Sequence, residues 1–172
     1  MREVEVKALV MDPTQNMPVL LLRDLQSNKV VPVWIGQPEA TSIAMVLHQR
    51  EFPRPLAHDL IKAILKGLGG DLDMVVIDSI QDSTYFATLH IRDHLGKTIE
   101  IDARPSDSIA IALRLGSPIY VSEEVFQVAA VEMPILEDER DSKDFSPDRF
   151  RTFVESEMRL ADFKRFVSEG GV

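Results

Sequence analysis

Three segments of this 172-residue chain run from an apolar stretch or a proline turn into the start of a predicted helix, and each places an acid in its first turn. They are Trp34-Ile35-Gly36-Gln37-Pro38-Glu39, Arg54-Pro55-Leu56-Ala57-His58-Asp59 and Asp102-Ala103-Arg104-Pro105-Ser106-Asp107. Two carry an arginine directly before a proline, Arg54 and Arg104, and one adds His58. Singly, such an acid complements the helix dipole by about 0.3–1 kcal/mol, and Ser106 reads as a capping hydroxyl worth about 1 kcal/mol. Together they hold the parts of metal-assisted phosphodiester hydrolysis. Carboxylates hold Mg²⁺ or Mn²⁺, the metal activates water, and guanidinium forks neutralise charge developing on phosphate. In that reading Glu39, Asp59, Asp107 and the strand-end Asp102 are the metal ligands. Arg54, Arg104 and Ser106 hold phosphate. His58 is the base, because imidazole titrates near neutrality, so the catalytic set is His58, Asp59, Arg104 and Asp107.

The remaining chemistry is sparse. His48, His90 and His94 form no one-turn metal pair, and there is no phosphate-binding glycine loop, nucleophile elbow or zinc pattern. The absence of cysteine excludes disulfides, thiolate ligands and a cysteine nucleophile. A formal charge of −9 argues against a dense basic track for nucleic acid, though substrate can still be met through bound cations. The first residues have no apolar signal-peptide core, and no apolar run approaches the ~18 residues of a membrane span. The expected compartment is the cytoplasm.

The elements that must position the three segments follow from hydrophobic period. Val4 and Val6 alternate with Glu3, Glu5 and Lys7, which predicts a half-buried strand over 3–11. Val19 to Leu22 and Val30 to Ile35 predict a hairpin pair joined through 24–29. A helix is expected from Pro38 to about Arg50. A second runs from about Leu56 to Leu68, with Leu60, Ile61, Ile64, Leu65 and Leu68 as its inner stripe. Strands are expected over 72–80, 85–92 and 98–102, antiparallel by their alternation. Arg104 to Ser108 opens a third helix that ends at Gly116. Pro118 to Val121 is a short strand, and Ser122 caps a short helix. Residues 137–146 are charged and aperiodic, a linker. The segment 147–172 carries Phe150, Phe153, Phe163 and Phe166 and predicts an amphipathic helix that docks on the domain or on a neighbouring subunit.

Three stretches in order, VVPVWIGQPEATSIAMVL (Val30 to Leu47), RPLAHDL (Arg54 to Leu60) and IDARPSDSIAIALRLGSPI (Ile101 to Ile119), resemble the bifunctional nuclease family, which includes plant wound-inducible proteins. The resemblance covers about Val4 to Leu136. It implies cleavage of DNA and RNA and puts Glu39, His58, Asp59, Arg104, Ser106 and Asp107 at motif positions. Ala57 stands where threonine is expected and Ser108 where alanine is usual. The expected architecture is α+β: a mainly antiparallel, twisted or mixed sheet with helices on one face over residues 1–136, then the linker and the C-terminal helix. The expected partners are DNA and RNA and further copies of the chain, with no membrane. A contrasting reading is a non-catalytic regulatory or assembly module, in which the helix starts are folding features and the aromatic tail mediates contacts.

Overall fold

The computed structural model describes residues 1–132 apart from 13, 51, 52 and 83. The linker and C-terminal helix expected after 136 lie outside the described residues. The element order is β1 (Arg2–Asp12), β2 (Met17–Asp24), β3 (Lys29–Trp34), α1 (Gln37–Leu47), α2 (Ala57–Gly67), β4 (Asp71–Gln81), β5 (Thr84–Arg92), β6 (Thr98–Ala103), α3 (Pro105–Leu115), β7 (Ile119–Val121), α4 (Glu123–Ala129) and β8 (Val131–Glu132). Among the described residues no helix is long and apolar enough to cross a membrane.

The strands form one sheet in the order β6-β5-β4-β7-β1-β2-β3-β8. Two antiparallel meanders, β1-β2-β3 and β4-β5-β6, are joined by β7, which pairs antiparallel with β1 and parallel with β4. That single parallel pair arises because α3 carries the chain from the β6 edge back to the middle of the sheet, and a crossover of this kind delivers a parallel neighbour. The sheet curls strongly. The Tyr85 hydroxyl of β5 donates to the Pro32 carbonyl of β3 at 3.2 Å although four strands intervene in the sheet order. At the β1–β2 turn the buried Asp12 accepts from the Thr14 amide at 2.8 Å and from the Trp34 indole at 3.1 Å, a side-chain-capped turn of the kind aspartate favours.

The main core lies on the side of the sheet that carries the helices. Ala40 and Ile43 of α1, Ile109 to Ala112 of α3, and Val125 and Phe126 of α4 pack there with Leu20, Leu22, Val75 and Ile77. The opposite side holds a smaller cluster of Val19, Leu21 and Val30. Gly116 ends α3 in the left-handed region at φ 70°, as a helix stop does, and Ser122 caps α4 by accepting from the Val125 amide at 3.1 Å.

Two expectations are corrected. The apolar stripe of α2 faces outward. Leu60, Ile61, Ile64 and Leu68 are exposed, and only Leu65 packs partly into the core. What α2 turns inward is polar, since His58 is buried and Asp59 half-buried. Hydrophobic period locates a stripe but does not say which side the rest of the fold occupies. Ser106, in turn, does not cap α3. Arg104 is the N-cap, with extended backbone and no side-chain cap bond, Pro105 fills the first turn, and Ser106 is buried one position later.

Ser108 is fully buried in α3, and its hydroxyl has no hydrogen-bond partner among the described residues. A buried unpaired hydroxyl costs about 1–3 kcal/mol. Ser108→Ala, which removes the hydroxyl and little volume, is expected to stabilise the chain by about 1 kcal/mol. That corresponds to a melting temperature higher by about 2–4 °C. An unchanged or lower melting temperature would show that the hydroxyl is satisfied.

Candidate active site

Each segment delivers its side chains through a helix start. Gly36 is the N-cap of α1, and a Cβ there would collide with the Glu39 carboxylate, so glycine leaves that carboxylate its seat. Leu56 is the N-cap of α2, and its amide donates to Asp59 Oδ2 at 2.9 Å. Arg104 is the N-cap of α3, with Asp107 in the first turn. The contacts of α3 with both α1 and α2 bring the three starts together.

The side chains form one continuous chain of polar contacts. Arg104 grips Asp107 with a fork, Nε to Oδ2 at 2.8 Å and Nη2 to Oδ1 at 3.2 Å, and the same Nη2 donates to Glu39 Oε1 at 2.7 Å. His58 Nε2 lies 3.1 Å from Asp107 Oδ1, and His58 Nδ1 lies 2.8 Å from Ser42 Oγ. Arg114 Nη2 donates to Ser42 Oγ at 3.0 Å and to the Ser42 carbonyl at 3.2 Å. Arg114 Nη1 donates to the Ala110 carbonyl at 2.9 Å, and Nε to Asp59 Oδ1 at 2.5 Å.

The network fixes the imidazole proton. An Asp107 carboxylate can only accept, so Nε2 carries hydrogen. Ser42 Oγ already accepts from Arg114 and can give its own hydrogen to Nδ1. A neutral ring in this setting is the Nε2–H tautomer, with both nitrogens engaged. Burial pushes the Asp107 carboxyl upward, but the hydrogen bonds and charges of Arg104 and His58 outweigh it and hold the pKa below the ordinary aspartate value.

The sequence-predicted residues divide into four groups. Glu39, His58, Arg104 and Asp107 meet in one cluster. Asp59 belongs to the same network but at its far end, beyond Ser42 and Arg114. Arg54 and Asp102 are exposed and join neither, Arg54 on the loop before α2 and Asp102 on the edge strand β6. Ser106 is buried beside the cluster, and its side chain makes no hydrogen bond to it. Among the described residues no three histidine, aspartate or glutamate side chains are grouped to hold a metal ion. Arg104 occupies the space between the Glu39 and Asp107 carboxylates that a shared cation would need.

Ser42 and Arg114 were not foreseen. Arg114 stands seven residues after Asp107, two turns along the same face of α3. Ser42 is three residues after Glu39, the buried one of the two polar residues, Thr41 and Ser42, that stand between Ala40 and Ile43. Both spacings are readable once the helices are known to face each other. Beside the Arg114 end, a cavity of about 660 Å³ opens between the helices, and Arg50, Lys62 and Lys66 supply cations around it.

The family model described as the bifunctional nuclease domain matches residues 20–134. An uncharacterized protein of Mycobacterium tuberculosis strain H37Rv is 42% identical over 167 residues, 95% of this chain and 99% of that protein. Bifunctional nuclease 1 of Oryza sativa subsp. japonica is 23% identical over 116 residues, 66% of this chain and 35% of its own length. Bifunctional nuclease 2 of the same plant is 27% identical over 108 residues, 60% of this chain and 33% of its own length. The chain thus spans about a third of each rice protein, and all three helix starts of the cluster fall inside the matched region. With that family model matching residues 20–134 and five of the six motif residues, all but Ser106, joined in one network, the chain belongs to the bifunctional nuclease domain family.

Proposed function

We propose that this chain hydrolyses phosphodiester bonds of DNA and RNA at the surface where Arg104 emerges from the cluster. The observation that carries this reading is Arg104 itself. Its side chain is 66% exposed, it is held by carboxylates from two motifs, and its Nη1 amino group has no partner among the described residues. A guanidinium so placed can meet a phosphate with a second fork. Once Arg104 turns toward phosphate, it loosens its hold on Asp107, and the carboxyl that it kept low becomes a better proton acceptor for an attacking water. A His58 ring carrying a proton on both nitrogens would then give its Nε2 proton to the departing oxygen and be left neutral, its Nδ1–H held by Ser42 Oγ. The cations around the cavity at the Arg114 end offer a path for the strand on one side of the bond that breaks.

Arg104 lies between the Glu39 and Asp107 carboxylates, so this mechanism is written with the chain's own groups and routes no step through a cation. Glu39 and Asp107 would be the ligands if one entered with the substrate.

A second reading, a non-catalytic assembly module, is favoured by one feature: the acids of the cluster are already paired, Glu39 and Asp107 with Arg104 and Asp59 with Arg114. The deciding experiment is cleavage of labelled single-stranded RNA and duplex DNA by the purified chain. It is run with Mg²⁺ or Mn²⁺, with EDTA, and with an identically prepared Asp107→Ala variant. Cleavage lost in a folded variant is the expected result, and the chelation arm reads whether a cation joins the site with substrate. Cleavage that survives in the variant would put the chemistry elsewhere. No cleavage under any condition would turn the assignment to the assembly module.

A further inference from the structure

We infer that the outward apolar face of α2 and β6 is the seat of this chain's own C-terminal segment, residues 147–172. Six large aliphatic side chains, Leu60, Ile61, Ile64, Leu68, Ile99 and Ile101, are between 41% and 72% exposed. They belong to one surface. Leu89 pairs with Ile101 and Ile91 with Ile99 across β5 and β6, so each pair shares a sheet face. Leu89 and Ile91 line an apolar groove together with Ile61, Ile64 and Leu68. A contiguous apolar surface rimmed by charge marks a contact site rather than ordinary solvent-facing surface. Gly67, on the flank of the stripe, has open space where a Cβ would stand, so a second element can approach the helix closely there.

The chain supplies an occupant. Forty residues follow Glu132, and their last stretch carries Phe150, Phe153, Phe163 and Phe166, four of the eight phenylalanines in the protein. The family model stops at residue 134, but the mycobacterial relative matches 95% of this chain and so shares most of that extension. The reach is sufficient. The described chain ends in β8, at the opposite edge from β6, and seven strand spacings of about 4.8 Å make roughly 34 Å of sheet. The fourteen residues 133–146 extend to about 46–50 Å, and the curl of the sheet brings its ends closer.

The test uses the full chain. Trypsin cuts after arginine and lysine, and the segment offers Arg149, Arg151, Arg159, Lys164 and Arg165. Ile64→Asp and Leu68→Asp are compared with the parent and with Val128→Asp, an equivalent change at an exposed site on α4. Melting temperature and solution mass are recorded for each. The expected result is a monomer whose segment is cut slowly in the parent and in Val128→Asp, and about tenfold faster in the two α2 variants. Leu68, the most exposed of the six, keeps the test valid if Ile64→Asp fails to fold. A segment cut as fast in the parent as in the variants would overturn the assignment. A dimer that the α2 variants split into monomers would overturn it too, giving the face to a second copy. None of these outcomes depends on whether the cluster cleaves nucleic acid.

Discussion

Replacing Arg104 by alanine is expected to lower kcat/KM for nucleic-acid cleavage by about 10²–10³-fold, the usual loss when one preorganised donor to developing charge is removed. The same change should also cost some stability, because it strands the Glu39 and Asp107 carboxylates, whose side chains are only 14% and 28% exposed. Leaving buried polar groups unpaired costs about 1–3 kcal/mol. The melting temperature should fall by about 2–4 °C for each kcal/mol lost, and the rates are compared where both proteins remain folded. Lysine keeps the charge and loses the fork, so Arg104→Lys should recover only part of the rate. Arg54→Ala is the contrasting variant. Arg54 also precedes a proline in a motif, but it stands exposed on the loop before α2 and takes no part in the network. Its loss should change the rate far less than the loss of Arg104, as expected of a charge that acts on the substrate only at a distance. Full activity in Arg104→Ala would remove the phosphate site from this cluster, and equal losses at both arginines would mean that charge near the substrate, not the fork, is what matters.

The contrast between these arginines also marks where sequence reading stops. Both look alike in the chain, since each precedes proline and each stands near an acid. Only Arg104 sits where α1 and α2 face α3, and no local pattern reports that. The strand alternation and the helix starts follow from short-range rules, and the structure bears out the α+β class with a mainly antiparallel sheet. Tertiary placement is different. The stripe of α2 was readable as a stripe, but its direction depends on α3 occupying the other side, where His58 and Asp59 find partners. Ser42 and Arg114 were missed for the same reason, because a serine beside a threonine early in a helix and an arginine in a last turn are unremarkable until the three helices are set against each other. The expected gathering of carboxylates assumed that acids at helix starts would point at a common centre. In the fold two of them point at Arg104 and the third at Arg114.

Arg114→Ala is expected to destabilise the chain by about 3 kcal/mol. The side chain is 5% exposed and ties α3 to α2 through Asp59 and to α1 through Ser42. Removing one partner of a buried pair costs about 3–5 kcal/mol. Asp59 is 38% exposed, so water reaches the carboxylate left behind and the loss falls at the low end. Acid should reveal the origin of this energy. Burial pushes Asp59 upward, but the Arg114 hydrogen bond, the Leu56 amide and the Arg114 charge outweigh it and hold its pKa below the ordinary 3.8. A carboxyl whose folded pKa is depressed binds its proton less readily in the folded state than in the unfolded one. Its stabilisation is therefore complete above the unfolded value and disappears as pH falls through the folded value. The gap between parent and Arg114→Ala should be widest above about pH 5 and narrow below about pH 4, because only the parent has the Asp59 pair to lose. Asp107 also titrates low, but it does so in both proteins and cancels from the difference. Urea unfolding at several pH values reads the gap directly. A gap that stays constant down to about pH 3 would assign the stability of this joint to the packing of the Arg114 side chain and its carbonyl contacts, which do not titrate, rather than to its charge.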